Sequence, residues 1–367
     1  GKNPGEHGIY GFTDLTAGSY KIRFPNFSDL KAAPFWEQWP GKSVIINVPS
    51  TYPVRRMNGV HISGFVSVNF EKSVYPDSLA AKLKAMDYRL DVDSQKAHTS
   101  MDAFMQDLDE TLDARIEAYR YLWEQVDWEN FMLVFSGTDR LMHFLWCAYE
   151  DKGHKYHNAF LEHFRKIDEV IGEIAGRMGD DDLLVMHSDH GFERLDYDVY
   201  ISYLLADKGF LKFKNGCETT LNNIDYGTKA FVLDPARIYL NLKGKYPCGT
   251  VEPADAEQVL AELQEVFANL QIDGRRVIRD IYRKEQLYTG PCFDNAPDMV
   301  LVAAEGFNLK ANAKAAQLAD KGIFTGKHTQ DTAFLLAKGC DENIIPAEPA
   351  VWDIKQIIET QASKRKM

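Results

Sequence analysis

Short, almost unbroken apolar runs recur along this chain, each too brief for a helix and bounded by turn residues. Ser43-Val44-Ile45-Ile46-Asn47-Val48 stops at Pro49-Ser50-Thr51, and similar runs occupy 131–135, 183–186, 237–241, 299–302 and 333–336. Runs without polar alternation fit strands covered on both faces, the pattern of a parallel sheet. Helical spacing fills the gaps. Met101, Phe104, Met105, Leu108, Leu112, Ile116 and Tyr119 recur at three- and four-residue steps. Phe160, Phe164, Ile167, Val170 and Ile174 do the same, and residues 254–270 repeat the pattern. The alternation predicts an α/β fold, a central and mostly parallel sheet with helices on both faces. Residues 1–367 are expected to form one domain, with 51–127 as a cap excursion between two strands.

Bulk properties narrow the partners. A formal net charge of −12 and a pI near 5.4 argue against a nucleic-acid or anionic-membrane surface, since both demand basic patches. No apolar run approaches the length of a membrane span. The cysteines at 147, 217, 248, 292 and 340 never form a Cys-x-x-Cys pair, which disfavours a zinc knot or a disulfide framework. Reduced thiols and a cytoplasmic location are the expectation. The chain opens at Gly1, in a turn-rich stretch without signal-peptide character, so a chain cut on its N-terminal side is expected.

Chemistry concentrates where the apolar runs end. Ser188-Asp189-His190-Gly191 follows one run, and Asp139-Arg140-Leu141-Met142-His143 follows another. Gly326-Lys327-His328-Thr329 precedes a third. Carboxylates and neutral imidazoles are ligands for zinc or manganese. Strand ends converge at one edge of an α/β sheet, where such folds build their sites. If a helix follows residues 131–135, Asp139 and His143 lie one turn apart on the same face. The bland alternatives are a helix-capping Ser188 or Asp189, a dipole-compensating Asp139 and a packed His143. His154, His157 and His163 imitate a ligand cluster, but their polar surroundings read as a solvated helix face.

Taken together, Asp139…His143, Asp189-His190-Gly191 and Gly326-x-His328 resemble the type I phosphodiesterase/nucleotide pyrophosphatase branch of the alkaline phosphatase superfamily. Gly1-Lys2-Asn3-Pro4-Gly5-Glu6-His7-Gly8-Ile9 and Pro49-Ser50-Thr51-Tyr52-Pro53 agree with it. The resemblance implies an alkaline-phosphatase-like fold and two divalent metal ions, zinc or manganese. Asp139, His143 and His328 would hold one, and Asp189 with His190 the other. It also implies a Thr or Ser nucleophile and a further metal-binding Asp on a first strand, both ahead of Gly1. On that expectation the chain as given has no nucleophile of its own and is inactive. The missing strand would leave two sheet edges unpaired and the protein poorly soluble.

The implied activity is hydrolysis of phosphodiester or phosphoanhydride bonds in a small phosphate-ester or nucleotide-like substrate, through a covalent intermediate. One departure stands out: Phe12 occupies the place of an Asn that donates to a phosphate oxygen. Lys327 and Arg140, which flank metal ligands, are the candidates to replace that donor. Phosphomutases, phosphonate hydrolases and sulfatases share the metal architecture, and an inactive metal-stabilised binding module is the alternative from another class.

Overall fold

A computed structural model describes residues 1–364. Strand β1 (Ser43–Val48) forms as expected, and β2 (Gly59–Ser63) lies parallel to it. The short β3 (Val74–Tyr75) pairs antiparallel with β2. A long helix, α1 (Met101–Gln125), then leads to β4 (Asn130–Leu133), which lies parallel to β1 on its other edge. The sheet order is therefore β3-β2-β1-β4. Residues 51–127 supply two strands and a packed helix, so they belong to the core layers and do not stand apart as a cap. The Gly59 and His61 interruptions hide β2 from an apolar-run criterion.

Alternation along β1 assigns the two faces of this sheet. Val44 and Ile46 point into a cluster with Leu112, Ile116, Tyr119 and Leu122 of α1 and with Ile167 and Val170. Ile45 faces the other way, onto Phe27 and Trp36. Those two residues come from single-turn 3-10 segments rather than from a helix. Pro25, Pro34 and Pro40 explain the difference from the expected second helical layer, because each removes an amide donor and forbids helix continuation.

Helix α2 (Gly137–Glu150) starts immediately after β4, and α3 (His157–Arg177) follows it. Leu141, Phe144, Leu145 and Ala148 form the buried stripe of α2, which leaves Asp139 and His143 on a different face. Next come β5 (Leu184–His187) and β6 (Gly191–Arg194). A second four-stranded sheet contains β7 (Ala230–Leu233), β8 (Arg237–Leu240), β9 (Ile278–Arg283) and β10 (Met299–Ala303), in the order β7-β8-β10-β9. It is antiparallel throughout, and α4 (Ala256–Ala268) packs on it through Val259, Leu263 and Phe267. Finally, β11 (Gly326–Thr329) pairs antiparallel with β6, and β12 (Leu335–Lys338) pairs antiparallel with β5. Among the described residues, β4 and β5 are each paired along one edge, β4 by β1 and β5 by β12. No helix among the described residues is long and apolar enough to cross a membrane.

His61 on β2 is an internal titration point. It is fully buried against the rings of Phe27 and Trp36, and its Nε2 has no partner among the described residues. Burial pushes its pKa down from 6.5 to about 4. The unfolded chain therefore takes up this proton near pH 6.5, whereas the folded chain resists it until about pH 4. The stabilisation is complete above pH 6.5 and is lost as pH falls through that window. Urea unfolding at several pH values is expected to show this decline, with a shallower slope in His61→Phe. An unchanged slope in the variant would contradict the assignment.

Candidate metal centre

Asp139 sits in the first turn of α2 and His143 one turn on, so the helix presents both to the same side. The third residue of the group, His328, comes from β11, 185 residues away from His143 in sequence. Two glycines allow that strand to approach. A Cβ on Gly326 would lie 2.3 Å from the carbonyl oxygen of Met142, and one on Gly191 would lie 1.9 Å from Thr332 Oγ1. Neither distance accommodates a side chain. The close approach also lets the Gly326 carbonyl meet His143 Nδ1 at 3.0 Å.

The three ligand-type atoms converge. His328 Nε2 lies 2.8 Å from Asp139 Oδ1 and 2.9 Å from His143 Nε2, and His143 Nε2 lies 3.6 Å from the same carboxylate oxygen. The Gly326 carbonyl accepts only if His143 Nδ1 carries the hydrogen, which leaves a lone pair on His143 Nε2. One N–H on His328 must then serve both the carboxylate and that lone pair. Three electron-rich atoms thus surround a point that a divalent cation satisfies better than one proton. Burial opposes ionisation of Asp139, but His328, His143 and Arg140 outweigh it and hold its carboxyl below the usual range. Burial likewise pushes the pKa of His143 down to about 4 despite the opposing charge of Asp139, so the imidazole is neutral at physiological pH. Asp139, His143 and His328 fit a metal ion in ligand type and convergence, and Asp139 and His143 in protonation as well.

His190 stands at the margin of this group. Its Nε2 is 3.7 Å from Asp139 Oδ1, and its ring stacks on His328 with centroids 3.8 Å apart. Its Nδ1 faces the Gly191 carbonyl at 3.1 Å, again directing a lone pair on Nε2 toward the carboxylate. Asp189 is largely exposed, with Oδ2 3.5 Å from His190 Nε2. Phe192, placed opposite His328 by the β6/β11 register, touches the rings of His143, His190 and His328 at centroid distances of 4.9, 5.6 and 5.0 Å. This one aromatic side chain fixes the orientation of all three imidazoles.

The two cations expected to contact substrate both have carboxylate partners. Lys327 is buried on the face of β11 opposite His328 and pairs with Glu193 at 2.9 Å. Arg140 is half-buried, pairs with Asp91 at 2.6 Å, and turns Nη1 toward Asp139 Oδ2 at 3.5 Å. Asp91 and Phe65, which carries the Arg140 guanidinium 4.7 Å above its ring, have no motif that marks them in the sequence. His163 is a correction: it is 2% exposed and lies behind Gly137, not on a solvated face. It shares the buried stripe of α3 with Phe160, Ile167 and Val170, while Lys152 and Lys155 lie ahead of that helix. His157 donates from Nδ1 to the Ala148 carbonyl, and neither it nor His154 joins the metal group.

Comparisons with known proteins agree with this architecture. The sequence profile of type I phosphodiesterase / nucleotide pyrophosphatase matches residues 1–331. No curated protein sequence matches the chain. The fold is similar to that of phosphonoacetate hydrolase from Sinorhizobium meliloti 1021, solved in complex with phosphonoacetate (TM-score 0.58) and with phosphonoformate (TM-score 0.56). Each comparison has 13% identity and covers 98% of this chain and 81% of the other. Expected for Gly326→Ala is a roughly 10–100-fold loss of zinc affinity by isothermal titration calorimetry, because the strand must retreat and the bond orienting His143 is lost. Wild-type affinity in that variant would show that the close approach is dispensable.

Proposed function

The chain belongs to the type I phosphodiesterase/nucleotide pyrophosphatase family, and from that premise we propose that it is a metal-dependent hydrolase of phosphorus esters. The observation that carries this reading is the convergence of His143 Nε2, His328 Nε2 and Asp139 Oδ1. Asp139, His143 and His328 hold one divalent ion, zinc in this reading. His190 and Asp189 serve a second, with His190 directed at the same carboxylate. A bound divalent ion supplies the positive charge that stabilises oxyanions in phosphoryl transfer.

The residues of this chain do the rest. Asp139 neutralises part of the ionic charge and is held in place by Arg140. His143 stays a neutral ligand because burial pushes its pKa down and the Gly326 carbonyl accepts its Nδ1 hydrogen. Phe192 keeps water from the inner side of the imidazoles. In this reading a Thr or Ser hydroxyl attacks phosphorus and the ester oxygen leaves with its bonding electrons, which gives the covalent intermediate that water then cleaves.

Residues 1–367 are accordingly expected to bind zinc with a rise in melting temperature that EDTA reverses. His328→Ala should lose most of that rise. A melting temperature indifferent to zinc would overturn the metal centre.

A further inference from the structure

One wall beside Asp139 is aromatic and open to solvent. Arg140 reaches Asp139 Oδ2 at 3.5 Å, and its guanidinium lies over the ring of Phe65. The ring of Phe12 continues from Phe65, tilted by 38° with centroids 5.9 Å apart. Phe12 is 59% exposed, a large apolar side chain in water three contacts away from Asp139. Val66 and Val68, on the loop that carries Phe65, are also exposed.

Resting on the functional reading above, we propose that Phe12 and Phe65 form the binding wall for an aromatic or similarly flat apolar group that the substrate carries next to its phosphorus. Three features indicate a built surface rather than a loose one. Arg140 cannot swing away, because Asp91 takes its Nε and Nη2 while Phe65 covers one face of the guanidinium. The backbone beside Phe12 is pinned, because buried Arg237 donates to both the carbonyl and the hydroxyl of Thr13 at 2.8 and 2.9 Å. The loop beyond Phe65 holds Val66 at φ +64°, a left-handed conformation that a β-branched residue avoids and that clusters at binding sites.

The chemistry of the wall is selective. Phe12 and Phe65 offer π-faces and no hydrogen-bond donor, so they reward a flat apolar substituent and give nothing to a second anionic group. Arg140, held by Asp91 and turned toward Asp139, fixes the position of the Phe65 ring and leaves the phosphoryl oxygens to the metal ion. The substrate class is therefore a phosphorus ester with an aromatic or apolar leaving group, not a compact molecule charged at both ends.

The test uses zinc-loaded residues 1–367 and two ligands that need no turnover, phenylphosphonate and methylphosphonate. Calorimetry is expected to give phenylphosphonate the lower Kd by roughly five- to tenfold, the size of one aromatic pair contact. Phe12→Ser should bring the two Kd values within about twofold of each other, and Phe12→Trp should keep the preference. Equal Kd values in the wild type, or a preference that survives Phe12→Ser, would overturn the wall while leaving the metal centre standing. Failure of both phosphonates to bind in a zinc-dependent way would overturn the functional reading and the wall with it.

Discussion

Two imidazole nitrogens and a carboxylate oxygen are forced within hydrogen-bonding distance of a common point, and much of the fold exists to keep them there. Electron-rich atoms at such spacing repel one another unless a cation lies among them. Without an ion, a single imidazole N–H would have to be shared between Asp139 and His143. That arrangement is an unfavourable one for a surface cluster and a good one for a ligand set. It persists because the elements delivering the three side chains are anchored independently: α2 by its buried stripe, and β11 by its pairing with β6.

The supports are as informative as the ligands. Gly326 and Gly191 bring backbone where a side chain would not fit, and backbone carbonyls then set the tautomers of His143 and His190. Phe192 braces three rings at once, and Asp91 immobilises Arg140 behind Asp139. Each of these contacts acts on protonation or orientation rather than on bulk stability. Such outer contacts commonly matter nearly as much as the ligands themselves.

Much of this was legible in the sequence, and the rest was hidden for identifiable reasons. β1 and the Asp139/His143 pair on α2 declare themselves by an apolar run and by helical spacing. β2 does not, because Gly59 and His61 break its apolar pattern, so 51–127 looked like an excursion. Gly326-Lys327-His328-Thr329 reads as a loop although it is a strand, because pairing with β6 outweighs its low intrinsic preference. Lys327 and Arg140 looked free to meet substrate because their partners, Glu193 and Asp91, lie far away in sequence. The antiparallel second sheet was equally unmarked: apolar runs identify burial but not the direction of pairing.

The most direct measurement of the central claim is anomalous diffraction at the zinc edge from crystals grown with zinc. The account predicts a peak bonded to His143 Nε2, His328 Nε2 and the Asp139 carboxylate at about 2.0–2.2 Å. Zinc bound elsewhere, with His328 Nε2 still hydrogen-bonded to Asp139, would contradict it.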